Sequence, residues 1–95
     1  MATQARILSR PAGFEQLTSL NAAAGLTPPA NATVAVFCAR TQDVNYRDDG
    51  TDPTASVGIT LKVGVPFVYD GNLNAIKFFE ATASAKLDVA YYAAA

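Results

Sequence analysis

The chain contains no histidine, no tryptophan and one cysteine in 95 residues. Without His, and with a single thiol, it cannot supply a zinc site of the usual Cys/His kind, a Ser-His-Asp triad, a Cys-His pair or an internal disulfide. Most familiar enzyme chemistry is excluded, and no catalytic, cofactor-binding or metal-binding residue is assigned. Charge is scarce as well: seven Lys and Arg stand against eight Asp and Glu, a formal net of -1. The basic footprint of a protein that binds nucleic acid or an anionic membrane is therefore missing. Long apolar runs are absent too. Residues 34–39 form a strand-sized run, far short of the roughly 18–20 residues of a membrane span. The opening Met1-Ala2-Thr3-Gln4-Ala5-Arg6 has no apolar segment of signal-peptide length behind it, which predicts synthesis in a reducing cytosol.

What is present is an apolar fraction of 51%, broken into short pieces between turn residues. That spacing predicts one all-β domain, a β-sandwich or jelly-roll-like fold of about seven or eight short strands. Residues 57–63 alternate, with Val57, Ile59, Leu61 and Val63 on one parity and Gly58, Thr60 and Lys62 on the other. Residues 86–91 do the same, with Leu87, Val89 and Tyr91 inward. Residues 33–39 are apolar on both parities, the pattern of a strand covered on both faces, and Cys38 reads there as a small buried hydrophobe. Weaker strands are expected at residues 14–20, 44–47, 67–69 and 76–80, the third at a sheet edge because Pro66 removes a donor. Val36, Ile59, Leu61, Val63, Leu87 and Val89 are the expected core. Residues 21–25, Asn-Ala-Ala-Ala-Gly, allow one helical turn between strands.

Turn chemistry marks the loops. Asp70-Gly71 between apolar runs signals a hairpin with Gly71 at positive φ. Residues 48–55 form the longest loop, expected at one end of the sandwich, with Arg47 pairing one of its carboxylates. Asp48, Asp49 and Asp52 superficially suggest calcium, but the stretch lacks the Glu that closes an EF-hand loop, so it reads as a solvated turn. Adjacent Asp side chains there point apart, which disfavours paired-carboxylate hydrolysis of glycosides. Asn31-Ala32-Thr33 matches a glycosylation sequon and reads as a turn.

The surface signal lies in the aromatics. Phe78-Phe79 and Tyr91-Tyr92 are adjacent pairs, and adjacent strand residues face opposite ways, so one of each pair leaves the core. Phe79 and Tyr92 are therefore interface candidates. Residues 1–13 form either an N-terminal arm or a first strand ahead of the domain at residues 14–95; as an arm it would carry Ile7 and Leu8 as its apolar anchor on a neighbouring subunit.

Residues 44–58, 71–78 and 85–92, above all Arg47-Asp48-Asp49-Gly50 followed by Pro53-Thr54-Ala55 and Gly58, resemble a family of small proteins of similar length found among the virion structural genes of tailed bacteriophages. The resemblance implies a head decoration or cement protein on the capsid surface, made in the host cytoplasm, contacting the major capsid protein and itself as a homotrimer. A head-to-tail connector, neck, tail or fibre component is the alternative, and a small carbohydrate-binding β module a further one. No catalytic residue is carried over, and no cofactor is implied.

Overall fold

A computed structural model describes residues 9–94. It has eight strands: β1 (Ser9–Leu17), β2 (Ala24–Gly25), β3 (Ala32–Arg40), β4 (Val44–Arg47), β5 (Ile59–Leu61), β6 (Phe67–Tyr69), β7 (Lys77–Glu80) and β8 (Lys86–Ala94). They form two antiparallel sheets of four. The front sheet runs β1-β8-β3-β6 and the back sheet β2-β7-β4-β5. The pairs β1·β8, β2·β7, β3·β6 and β4·β5 are those of a long hairpin folded over on itself, which is the jelly roll.

The period-two patterns explain the two layers. In β8, Leu87, Val89 and Tyr91 are buried and the residues between them are half-buried; in β3, Ala35, Phe37 and Ala39 are buried and Val34, Val36 and Cys38 half-buried. Aromatic rings join the layers. Phe37 of β3 lies edge-on to Phe78 of β7 at 5.0 Å between centroids and stacks on Tyr69 at 5.7 Å, while Tyr46 of β4 reaches Phe67 at 5.8 Å. Such ring pairs add specific geometry to the apolar area buried.

Several expectations change. Only residues 59–61 of the 57–63 stretch are strand, and Leu61 is buried while Ile59 is 60% and Val63 44% exposed. β5 is the edge of the back sheet, so Ile59 has a neighbour, Tyr46, on one side alone. Val63 sits where the chain leaves for the front sheet, bridged to Ala39. Val36 and Cys38 face outward from β3 and are only half-buried, so neither is core. Ala24–Gly25 form β2 against β7 instead of a helical turn. Asp70-Gly71 joins no hairpin, because β6 and β7 belong to different sheets. Gly71 is not among the positive-φ glycines; its need is space, since a Cβ there would meet the Tyr69 ring, with Cζ at 2.6 Å.

Candidate functional site

The two outer faces of the sandwich differ in how they are finished. On the back sheet, Thr60, Asn45 and Phe79 form one cross-strand row facing outward. Residues 48–58 fold back over it. Asn45, 3% exposed, donates from Nδ2 to the carbonyls of Thr54 at 3.0 Å and Ala55 at 3.1 Å, and its Oδ1 accepts from Thr60 Oγ1 at 2.7 Å. Pro53 is fully buried in the same loop. The loop is therefore packed onto the sheet rather than simply displayed at its end.

Two of its carboxylates are engaged separately. Asp48 accepts the Tyr69 hydroxyl at 2.7 Å, and Asp49 takes the Arg47 guanidinium through Nε at 3.1 Å and through Nη2. That pairing, above all its hydrogen bond, holds the Asp49 carboxyl below its ordinary value. Burial, then the bond to Asp48, pushes the Tyr69 hydroxyl up to about 12. Among the described residues no three His, Cys, Asp or Glu side chains gather as metal ligands. Beside Arg47, Asp48 and Asp49 a groove of about 440 Å³ is walled by the exposed Val57 and Ile59. A second groove of about 440 Å³, between Pro28, Pro29, Asp70, Asn72 and Asn74, has no aromatic ring in its lining.

Among the described residues the front sheet has no such cover. Antiparallel register aligns Phe14 of β1, Ala90 of β8, Val36 of β3 and Val68 of β6 in a single row across all four strands. Phe14 and Val68, at its two ends, are each 66% exposed. The next row toward the chain termini is Pro11, Tyr92 and Val34. The row on the other side is Gln16, Asp88 and Cys38. Asp88 accepts from Gln16 Nε2 at 2.7 Å and from Arg40 Nη1 at 2.8 Å, so the carboxylate on this face is neutralised within it. On the inner side of β1, Glu15 accepts from the Tyr91 hydroxyl and from the Thr27 amide at 2.9 Å, which ties the edge strand to the β2–β3 connection.

The interface candidates fall on different surfaces. Tyr92 is half-buried on the front face, next to Val34, and Phe79 is half-buried on the back face, beside Asn45; Ile7 and Leu8 lie outside the described residues. Phe14 and Val68 were not among the candidates. Their exposure depends on the strand register, which brings residues 14, 36, 68 and 90 together. The described residues contain no helix long and apolar enough to cross a membrane. Compared with models of protein families, with curated proteins and with solved structures, the chain matches none.

Proposed function

We propose that the chain is a structural assembly protein of a tailed-bacteriophage virion. In this reading it binds the outside of the capsid, contacts the major capsid protein and bridges neighbouring coat subunits, with no enzymatic role. The observation that carries the reading is a pair of separate apolar patches on one jelly roll: Phe14 and Val68 on the front sheet, and Val57 and Ile59 beside the acidic loop. A bridging protein needs two such surfaces at a fixed separation, each burying apolar area against a different neighbour. Jelly rolls occur in viral shells and also in lectins and cupins, so the fold is compatible with this role and with others. The virion context comes from the resemblance of residues 44–58, 71–78 and 85–92. A protein that binds only the mature geometry of a shell stabilises that geometry by mass action, so many weak copies suffice.

Quantitative mass spectrometry of purified virions of the encoding phage tests the reading. Copy numbers that match the coat subunits or their local symmetry axes are expected. A number matching the single portal vertex would move the protein to the neck or tail, and its absence from the particle would overturn the reading.

A further inference from the structure

The dipeptide Asp-Gly occurs twice, at Asp49-Gly50 and at Asp70-Gly71. In both, a glycine without a Cβ leaves its amide nitrogen open to the carboxyl carbon of the aspartate before it. The other four aspartates precede Val44, Asp49, Pro53 and Val89, where a side chain crowds the amide or proline removes its proton. We propose that Asp70 is a site of spontaneous conversion to isoaspartate, and that the fold holds Asp49, its twin in sequence, in a form that does not react.

The reaction needs no partner but water. The Gly71 nitrogen bonds to Cγ of Asp70, and the carboxyl OH leaves with the amide proton as one water, which closes a succinimide ring. Water then reopens the ring. Attack at the former main-chain carbonyl leaves Gly71 joined through Cγ, and the old carbonyl becomes a free carboxylate. Mass and net charge return to their starting values, but the main chain is one carbon longer beside Tyr69.

Ring closure requires a carboxyl free to turn onto the next amide and an amide free to receive it. Both hold at Asp70. Asp70 and Gly71 are exposed in the β6–β7 connection. Among the described residues, the hydrogen bonds of this turn run from the Asn74 amide to Asn72 Oδ1 and from the Ala75 and Ile76 amides to the Asn72 carbonyl; they use neither the Asp70 carboxyl nor the Gly71 amide. Packing also keeps position 71 a glycine, because a Cβ there would collide with the Tyr69 hydroxyl, which is held in place by Asp48. At Asp49 the first requirement fails. Its Oδ1 accepts from Arg47 Nε at 3.1 Å and from the Thr51 amide at 3.3 Å, and its Oδ2 from Arg47 Nη2, so the carboxyl is fastened past Gly50. The same guanidinium holds it below its ordinary value, whereas ring closure proceeds from the protonated acid. The inference does not depend on the virion reading.

The full chain, held at physiological temperature and neutral pH with and without guanidinium chloride, tests the proposal. Trypsin cleaves after Arg47, Lys62 and Lys77, which puts the two dipeptides on separate peptides, residues 48–62 and 63–77. Electron-transfer fragmentation then locates isoaspartate in each. In denaturant the two sites should isomerise at similar rates, since both precede glycine and no fold distinguishes them. In the native chain isoaspartate should accumulate several-fold faster at Asp70 than at Asp49. Arg47→Gln, checked as folded by its near-ultraviolet tyrosine signal, should raise the Asp49 rate toward that of Asp70. Asp70→Glu, whose longer side chain disfavours ring closure, should remove the signal from residues 63–77. The native-to-denatured comparison uses the unaltered sequence, so it decides even where Arg47→Gln does not fold. Three results would overturn the proposal: a native chain without isoaspartate at Asp70, a native rate at Asp49 equal to or above that at Asp70, or a folded Arg47→Gln chain in which Asp49 stays unreactive.

Discussion

Asn45 carries three hydrogen bonds in a position that water barely reaches, and each ties a different piece of backbone or side chain to β4. Truncation to Ala strands the carbonyls of Thr54 and Ala55 and the Thr60 hydroxyl at once. Asn45→Ala should therefore cost about 1–3 kcal/mol in denaturant unfolding. An equally telling readout is faster proteolysis within residues 48–58, because the loop loses its anchor to the sheet. Tyr69 and Tyr91 make a second residue-scale statement. Burial is the main cause that raises both hydroxyls above the ordinary tyrosine value, with Asp48 and Glu15 as their respective acceptors. In the folded chain they keep protons that unfolded tyrosines lose near pH 10. The stability they contribute is whole below that pH and is lost as pH rises through about 12 for Tyr69. Melting temperature should fall across this alkaline window, and Tyr69→Phe should flatten the fall; an identical slope in the variant would remove Tyr69 as its source.

At the scale of the strand, position within the sheet decides what a pattern is worth. Leu87 sits in β8, flanked by β1 and β3, and is fully buried. Leu87→Ala should cost about 2–5 kcal/mol. Ile59 has the same kind of side chain on the same parity of an equally regular stretch, but on an edge strand, and Ile59→Ala should stay within about 0.5 kcal/mol. Denaturant unfolding of the two variants checks both values. Between them lies the reason why β8 was legible in the sequence and β5 only in part. Alternation reports which residues share a face, whereas burial depends on neighbours supplied by distant chain. Residues 33–39 show the same limit, since apolar residues on both parities imply a cover on both sides without saying which molecule provides it. Asp70-Gly71 marked the end of β6 but carried no information on which sheet the next strand joins. The parity of Phe79 and Tyr92 was readable; the row through Phe14, Ala90, Val36 and Val68 was not, because it exists only in the register of four strands. Gly58, read as an ordinary exposed strand position, has φ +145° and would place a Cβ 3.0 Å from the Tyr46 carbonyl and 3.1 Å from Asn45 Cβ. Gly58→Ala should destabilise by more than about 1 kcal/mol, visible as a lower denaturant midpoint.

For the molecule as a whole, the jelly roll makes the two ends of the described chain depend on each other. β1 pairs only with β8 in its sheet, and β8 also pairs with β3, so the last strand holds both the first strand and the middle of the front sheet. The aromatic contacts of Phe37 with Phe78 and of Tyr46 with Phe67 then couple the front sheet to the back. Neither sheet can keep its buried face without the other, so both should melt in one transition, with far-ultraviolet and tyrosine signals giving the same midpoint. Closure of β1 on β8 also demands a loop spanning nearly the whole described chain, whose entropy must be lost before the contacts that reward it form. Refolding should accordingly be slow, in the millisecond-to-second range or beyond that all-β topologies occupy. Removing residues 86–95 takes away β8 and leaves β1 and β3 with unpaired edges and the Phe37 side of the core open. The truncated chain should show no cooperative melting transition. A truncated chain that still melted cooperatively, with Tyr46 and Tyr69 ordered, would mean that the back sheet and β3·β6 form a self-sufficient core and that the closing strand is not what holds the fold together.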